Sequence, residues 1–160
     1  MADLFRSKSS EQDWLAKFED LALAASVTEP AQQRAQLESL LKLLVSTAHR
    51  IEAIGVQLPE MQVFFAMLDA QAYETAALML IPAGAGFMAS NDGNDRYIVS
   101  ILLGSSQEES TSVGLTLGMA IVSAMALAIA EVSSRRSSQV TNLEVPGRDQ
   151  TGPIIRQGPN

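Results

Sequence analysis

The chain has no cysteine and a single histidine, and these two shortages exclude several kinds of chemistry. Without cysteine there can be no disulfide framework, no thiol nucleophile and no cysteine-ligated zinc or iron–sulfur centre. A zinc site would need three or four ligands at suitable spacing, and His49 has no such companions. No serine or aspartate is placed by sequence to form a triad with His49 either. We therefore expect no catalytic residue, no metal and no cofactor.

Aromatic and basic residues are also scarce. Aromatics make up 5% of a chain that is 47% hydrophobic, so the core must be built from aliphatic side chains, including 22 alanines. Residues 51–134 hold nine acids and one base, whereas residues 135–160 hold two acids and four bases. Nucleic acid and anionic membranes attract Lys and Arg, so we expect neither as a direct partner. The excess of acidic residues either helps to bind a protein partner or only keeps the domain soluble.

The length of 160 residues suits one domain. We expect a flexible N-terminus at 1–9, a domain at 10–134 and a tail at 135–160 that is rich in Ser, Pro and Gly. The alternative for the tail is that its apolar residues dock on a partner or on the domain. The first 15 residues show no signal-peptide pattern, so the expected location is the cytoplasm.

Helical periodicity dominates the first half of the chain and predicts three helices. They cover about residues 10–26, 30–54 and 59–81. Ser10 gives the first helix a capping-box start, Thr28 offers an oxygen that caps the second, and Gly55 ends the second. Asp69 is a candidate break in the third helix.

The pattern changes after Pro82. The dipeptide at 92–93, Asp-Gly, is a strong turn signal and predicts a β-hairpin with strands at about 86–90 and 96–103. One face of the second strand carries four apolar side chains, namely Tyr97, Val99, Ile101 and Leu103. Because a lone hairpin cannot cover apolar residues on both faces, we expect two copies to form a homodimer with one four-stranded sheet. Those four residues are the expected dimer contacts.

A run of 21 uncharged residues ends at Glu131 and predicts a long helix over 108–134 that packs across the hairpin. The run reaches transmembrane length, and Gly114 and Gly118 have the small-xxx-small spacing of packed membrane helices. A membrane anchor through 111–130 is therefore an alternative. We favour a buried helix of a soluble domain, because the many small residues make the run weakly hydrophobic and the flanking charges oppose positive-inside orientation.

A glycine motif and two acidic pairs are candidate binding sites. Residues 84–89 match G-x-G-x-x-A, but they lead into a hairpin, whereas a dinucleotide fingerprint leaves a strand and opens a helix. The acidic pairs are the candidate interaction residues for a protein partner: Asp92, Asp95, Glu108 and Glu109. A plain turn explains the first pair without a partner, and attraction to the positive end of the long helix explains the second.

Residues 73–136 carry a Leu-Ile-Pro step after a helix, a hairpin with a glycine turn, and an Ala/Leu-rich helix that finishes in Arg135 and Arg136. This layout resembles small phage and prophage proteins of the ABA-sandwich type. The resemblance implies an α+β sandwich in a phage-derived setting, and it carries over no catalytic residue.

The sequence thus predicts an α+β fold with a helical N-terminal half followed by helix, hairpin and long helix. The expected function is a non-enzymatic, acidic protein-binding module, for example a phage-encoded inhibitor that occupies a surface of a host protein. A phage structural or assembly protein, a membrane-anchored protein, and an enzyme that uses dispersed carboxylates are the alternatives.

Overall fold

A long apolar helix and a small antiparallel sheet organise this α+β chain, and helices from the N-terminal half surround them. The computed structural model describes the backbone of residues 2–104 and 109–143, and side chains from residue 13 onward within those ranges except at 137 and 139–143. Residues 144–160 of the predicted tail and Glu108 lie outside the described residues. The predicted domain boundaries stay predictions.

The elements follow the predicted order, with one addition. The helices are α1 (Ala2–Ser26), α2 (Gln33–Ser46), α3 (Ala48–Ile51), α4 (Met61–Asp69), α5 (Tyr73–Leu78) and α6 (Leu117–Leu143), with 3-10 turns at Pro30–Gln32 and Glu52–Ile54. The strands are β1 (Gly86–Asn91), β2 (Tyr97–Leu102) and β3 (Ser110–Gly114). The added element is β3, which extends the predicted hairpin to a three-stranded sheet.

The first helix begins earlier than the sequence pattern indicates. It starts at Ala2, so Ser10 lies inside α1 and does not cap it. The preceding residues contain no proline or glycine and include good helix formers, so nothing stops the helix from extending toward the N-terminus. Thr28 does not cap the next helix either: its hydroxyl donates a hydrogen bond to the carbonyl of Ala24 at 2.7 Å and thereby closes α1.

The second predicted helix is interrupted near its end. The hydroxyl of Thr47 donates to the carbonyl of Leu43 at 2.7 Å, and Thr47 leaves helical geometry with φ −116° and ψ 16°. Threonine competes in this way for helix carbonyls, which accounts for the break between α2 and α3. Gly55 then ends the segment at φ +81°, as predicted, in the left-handed conformation that glycine adopts without strain.

The third predicted helix breaks at Asp69, as expected. Helix α4 ends there, and Gln71 follows at φ +59° before α5 begins. Arg34 on α2 fixes this junction, because its guanidinium lies 2.9 Å from a carboxylate oxygen of Asp69 and 2.9 Å from one of Glu38. These hydrogen bonds raise the pKa of the exposed Arg34 above its usual value.

The sheet has the order β1-β2-β3, with both neighbouring pairs antiparallel. The hairpin of β1 and β2 confirms the sequence prediction. The prediction of helix from residue 108 is wrong, because residues 110–114 form β3 and α6 begins at Leu117. Thr116 caps the helix, since its side-chain oxygen accepts the backbone N–H of Met119 at 3.2 Å.

Helix α6 is the core of the fold. It packs on α1, on α5 and on one face of β2 and β3. Ten of its described hydrophobic residues are at most 2% exposed, and they are Met119, Ala120, Ile121, Val122, Ala124, Met125, Ala126, Ala128, Ile129 and Ala130. The segment 117–136 is long and apolar enough to cross a membrane, and most of it is buried inside the protein. The span proposed for a membrane anchor, 111–130, is not one helix, because its first residues belong to β3.

Serine hydroxyls join the layers around α6. The buried Ser123 donates to the carbonyl of Ala22 on α1 at 2.6 Å. Since a hydroxyl has one hydrogen to donate, Ser123 must accept the hydrogen bond that joins it to Ser112 of β3 at 2.6 Å. Ser110 of β3 donates to the carboxylate of Glu131 at 2.5 Å. These bonds fix the sheet, α6 and α1 in one arrangement.

Gly114 and Gly118 belong to different elements, so they do not form the helix-packing face that their spacing suggested. Gly114 ends β3 at the point where the chain turns directly into α6. A Cβ at Gly114 would overlap the backbone nitrogen of Ala120 and lie 2.9 Å from its Cα. Only glycine therefore allows the strand to end against the first turn of the helix.

We predict that Gly114→Ala lowers the free energy of unfolding by about 2 kcal/mol, because the added methyl group meets backbone that cannot move aside. Urea denaturation followed by the fluorescence of the single tryptophan, Trp14, measures this change.

Gly118→Ala is the matched control. Its Cβ would lie 3.3 Å from the side-chain oxygen of Gln33, and alanine favours helix by about 1 kcal/mol, so we expect a net change below about 1 kcal/mol. Equal losses in the two variants would contradict the close contact at Gly114.

Candidate functional site

The groups that could perform catalysis are dispersed over the molecule. His49 lies exposed on the short helix α3. Among the side chains that the structure describes, no group of three or more His, Asp or Glu is placed to hold a metal ion. The surface of the sheet offers more definite features.

The acidic residues Asp92 and Asp95 both lie at the tip between β1 and β2, and both are exposed. One carboxylate oxygen of Asp92 accepts the backbone N–H groups of Asn94 at 2.8 Å and Arg96 at 3.2 Å. The side chain of Asn91 accepts the N–H of Gly93 at 2.7 Å. These bonds are those of a turn held by its own side chains. Asp92 thus has a structural role at the tip.

Glu109, the described member of the second acidic pair, is not beside the first pair. In the sheet register Asn91 lies opposite Tyr97, whereas Ser110 lies opposite Ile101 near the other end of β2. Glu109 directly precedes Ser110, so it is about one strand length, roughly 15–20 Å, from the tip. It also precedes β3 and not α6, so attraction to the helix dipole does not account for it. The described acidic residues therefore do not form one continuous patch.

The four expected dimer contacts lie on the face of the sheet that α6 covers. Val99 and Ile101 are fully buried, Leu103 is 2% exposed, and Tyr97 is half-buried against the core. Helix α6 covers this apolar face, which the sequence predicted a second copy of the chain would cover. These side chains are therefore not free to bind one.

Strand β1 is the open part of the sheet. All six of its residues, Gly86–Asn91, are exposed, and none carries a charge. Two of them are large and apolar, since Phe87 is 41% exposed and Met88 is 61% exposed. Phe87 faces the α6 side of the sheet, because it lies opposite the buried Ile101. Met88 lies opposite Ser100 and faces the outer side.

The outer side of the sheet continues from Met88 across β2 and β3. Ser100 and Thr111 lie opposite each other there and share a hydrogen bond of 2.7 Å between their hydroxyls. Half-buried apolar residues flank this pair, and they are Ile98, Leu102 and Val113. We call these residues, together with Met88, the outer face.

Every second residue of β1 directs its backbone N–H and C=O groups away from β2. The N–H of Asp92 donates to the carbonyl of Arg96, its direct counterpart, so this pair is a hydrogen-bonded one. Such pairs alternate along an antiparallel ladder. The even-numbered residues of β1 therefore bond to β2, and the N–H and C=O groups of Phe87, Ala89 and Asn91 point to the open edge.

Two shallow clefts are less suitable as sites. One, of about 290 Å³, lies beside the first turn of α6 and contains Gln33, Tyr73, Glu74 and Thr116. Thr116 donates to the side-chain oxygen of Gln33 at 2.7 Å, and the amide of Gln33 donates to the carbonyl of Pro30 at 3.0 Å. The side-chain polar atoms that Thr116 and Gln33 contribute to this cleft are thus already hydrogen-bonded within the chain.

The other cleft, of about 490 Å³, is an open groove between α1 and α2. Leu21 and Leu43 contribute apolar surface to it, and Lys17, Asp20 and Lys42 contribute charges of both signs. Mixed charges around an open apolar groove do not select a particular ligand.

Comparison with protein-family models, with curated proteins and with solved structures found no match to this chain. The resemblance of residues 73–136 to phage ABA-sandwich proteins therefore remains a prediction. The geometry of β1 is the strongest functional feature that the structure provides.

We predict that substitutions of the two aspartates at the hairpin tip change the free energy of unfolding differently. Asp92→Ala removes a charged acceptor of two backbone N–H groups and should lower the free energy of unfolding by about 1 kcal/mol. Asp95 has φ +60°, so Asp95→Gly should leave stability unchanged or raise it by about 0.5 kcal/mol. Thermal denaturation of both variants tests this, and a larger loss in Asp95→Gly than in Asp92→Ala would contradict it.

Proposed function

We propose that this chain is a non-enzymatic protein-binding module that binds an extended segment of a partner as an additional strand beside β1. The observation that carries the proposal is that β1 is an exposed, uncharged strand whose outer backbone groups have no neighbouring strand among the described residues 2–104 and 109–143. Strand addition supplies main-chain hydrogen bonds for affinity and side-chain contacts for specificity.

The sequence of β1 supports this proposal, because it contains none of the usual obstacles to strand pairing. Soluble proteins protect their edge strands with lysine, proline, inward-pointing charges or a bulge. The segment GFMASN has no charged residue and no proline, and its pairing with β2 runs without a bulge from Gly86 to Asn91. Such an edge attracts other strands unless it has a partner.

Phe87 and Met88 determine what the partner segment must offer. Their side chains point to opposite sides of the sheet, and both are substantially exposed. A segment with apolar residues at successive positions would cover both at once. The acidic tip lies at one end of β1, so a basic residue at the corresponding end of the segment would strengthen binding.

A phage-encoded inhibitor of a host protein is the narrower form of this proposal, and the host cytoplasm is its expected location. It rests on the resemblance of residues 73–136 and on the net charge of −7. The separation of Glu109 from the hairpin tip favours recognition through β1 over recognition by one acidic surface.

Ala89→Pro tests strand addition directly. Proline removes the N–H of Ala89, which points to the open edge and takes no part in the pairing with β2, so the fold should tolerate it. Ala89→Thr keeps the N–H and favours strand, and it is the matched control.

The probe is an extended peptide selected on the wild-type protein from a displayed random library. We expect Ala89→Pro to weaken binding of this peptide at least tenfold and Ala89→Thr to change it less than threefold, as measured by fluorescence anisotropy. Urea denaturation of both variants confirms that they are folded. Equal affinity for both variants would overturn the proposal, and so would failure to select any peptide that competes at β1 when wild type is a monomer.

A further inference from the structure

We propose that the segment that pairs with β1 is β1 of a second copy of this chain, in an antiparallel dimer whose two-fold axis passes beside Ala89. This inference rests on the proposed function, because it identifies the partner in strand addition. The product is a six-stranded sheet with α6 of each copy on the same side.

The pattern of free backbone groups fits self-pairing. Phe87, Ala89 and Asn91 direct their N–H and C=O groups outward, and they are spaced symmetrically about Ala89. When two such strands run antiparallel, Ala89 faces the partner's Ala89, and Phe87 faces the partner's Asn91. Each of the three facing pairs can then form two hydrogen bonds, so that every outward group of the strand finds a partner.

The side chains also fit this register. The smallest of them, Ala89, lies at the axis, where the two identical residues meet. Phe87 is exposed at the edge on the α6 side, and there it would lie opposite Asn91 of the partner subunit and diagonally from the partner's Ala89. On the outer side Met88 would lie opposite the partner's Ser90. Pairing thus covers the two large apolar side chains of β1 without bringing them into collision.

The distribution of charge favours the antiparallel arrangement. The strand itself is neutral, although the chain has a net charge of −7. In an antiparallel pair the acidic tip of each copy, with Asp92 and Asp95, lies beside the uncharged segment 80–86 of the other copy. The two tips are then separated by roughly a strand length, 15–20 Å, which exceeds the Debye length of about 8 Å at physiological salt. Repulsion between the copies is therefore weak at this edge.

This dimer differs from the one that the sequence analysis expected. The four residues expected there, Tyr97, Val99, Ile101 and Leu103, are buried in the core or half-buried against it and take no part in the proposed dimer. Both β1 and β3 are edge strands of the described sheet, but β3 packs against α6 and α1 and is largely buried or half-buried, whereas every residue of β1 is exposed. The proposed contacts therefore move to residues 86–91.

The mass in solution is the first measurement. By light scattering during size-exclusion chromatography at micromolar to 100 µM concentration, we expect about 34 kDa for wild type, twice the chain mass of 17.1 kDa. Ala89→Thr should also give a dimer, whereas Ala89→Pro should raise the dissociation constant at least tenfold and shift the mass toward the monomer. A wild-type monomer throughout this range would overturn the inference, and so would a dimer that Ala89→Pro leaves unchanged.

The register has its own test, because a chain without cysteine allows a single thiol to be introduced anywhere. In the proposed dimer the Cα atoms of Ala89 and the partner's Ala89 are about 5.5 Å apart, which is within disulfide range. Oxidised Ala89→Cys should therefore form a covalent dimer on a non-reducing gel.

Asn91→Cys is the matched control for the register. Each Asn91 faces the partner's Phe87, so the two introduced thiols are separated by about four residues along the strands, roughly 13 Å, and cannot bond. Equal cross-linking of the two cysteine variants, or cross-linking of Asn91→Cys alone, would overturn the register centred on Ala89.

The same variants separate this inference from the proposed function. If wild type is monomeric but selected peptides bind it and Ala89→Pro weakens them, the second copy is the wrong partner and strand addition stands. If wild type is dimeric through another surface and no peptide competes at β1, both proposals fail.

Discussion

The burial of the uncharged helix α6 is the constraint on which the rest of this structure depends. A helix with almost no polar side chains over its first fifteen residues must be covered on nearly all sides, and the chain does this with α1, α5 and the sheet. The small residues of α6 let these elements approach closely. Ser123 then fixes how α6 is aligned with α1 and β3, because its hydroxyl donates a hydrogen bond to the Ala22 carbonyl and accepts one from Ser112. Apolar burial provides the driving force, and these bonds select one alignment of the layers.

The position of β3 follows from the same constraint. The chain enters α6 through a turn so tight that the end of β3 lies against the first turn of the helix, and Gly114 allows this approach. With β3 held on one side of β2, the other side is left to β1, which contacts β2 but has little contact with the helices. The exposure of β1 is thus a consequence of how α6 is covered and not a local property of the segment 86–91.

The sequence predicts the features that depend on local chemistry. The helix end at Gly55, the break at Asp69 and the hairpin around the Asp-Gly turn all follow from residues near one another in the chain. It does not predict β3, because Thr111 and Val113 stand inside an uncharged run that continues as helix. Their alternation with Ser110 and Ser112 is the signal that identifies the strand. Nor does the sequence predict that α6 covers Tyr97, Val99, Ile101 and Leu103, since which side of β2 is covered is decided by contacts far apart in sequence.

The neutrality of β1 becomes significant only in this fold. In the sequence the hairpin is noticed for its acidic tip, and the −7 charge suggests recognition by an acidic surface. In the structure one carboxylate oxygen of Asp92 holds the turn, and Glu109 lies near the other end of the sheet. Strand β1, which leads into the tip, is exposed along its whole length and carries no charge. In the strand addition that we propose, acidic residues around a neutral edge would oppose association elsewhere on the surface and leave this edge for another strand. The charge of the chain would then contribute specificity, by limiting where and in which direction a strand can pair, while backbone hydrogen bonds and the apolar side chains Phe87 and Met88 would contribute affinity.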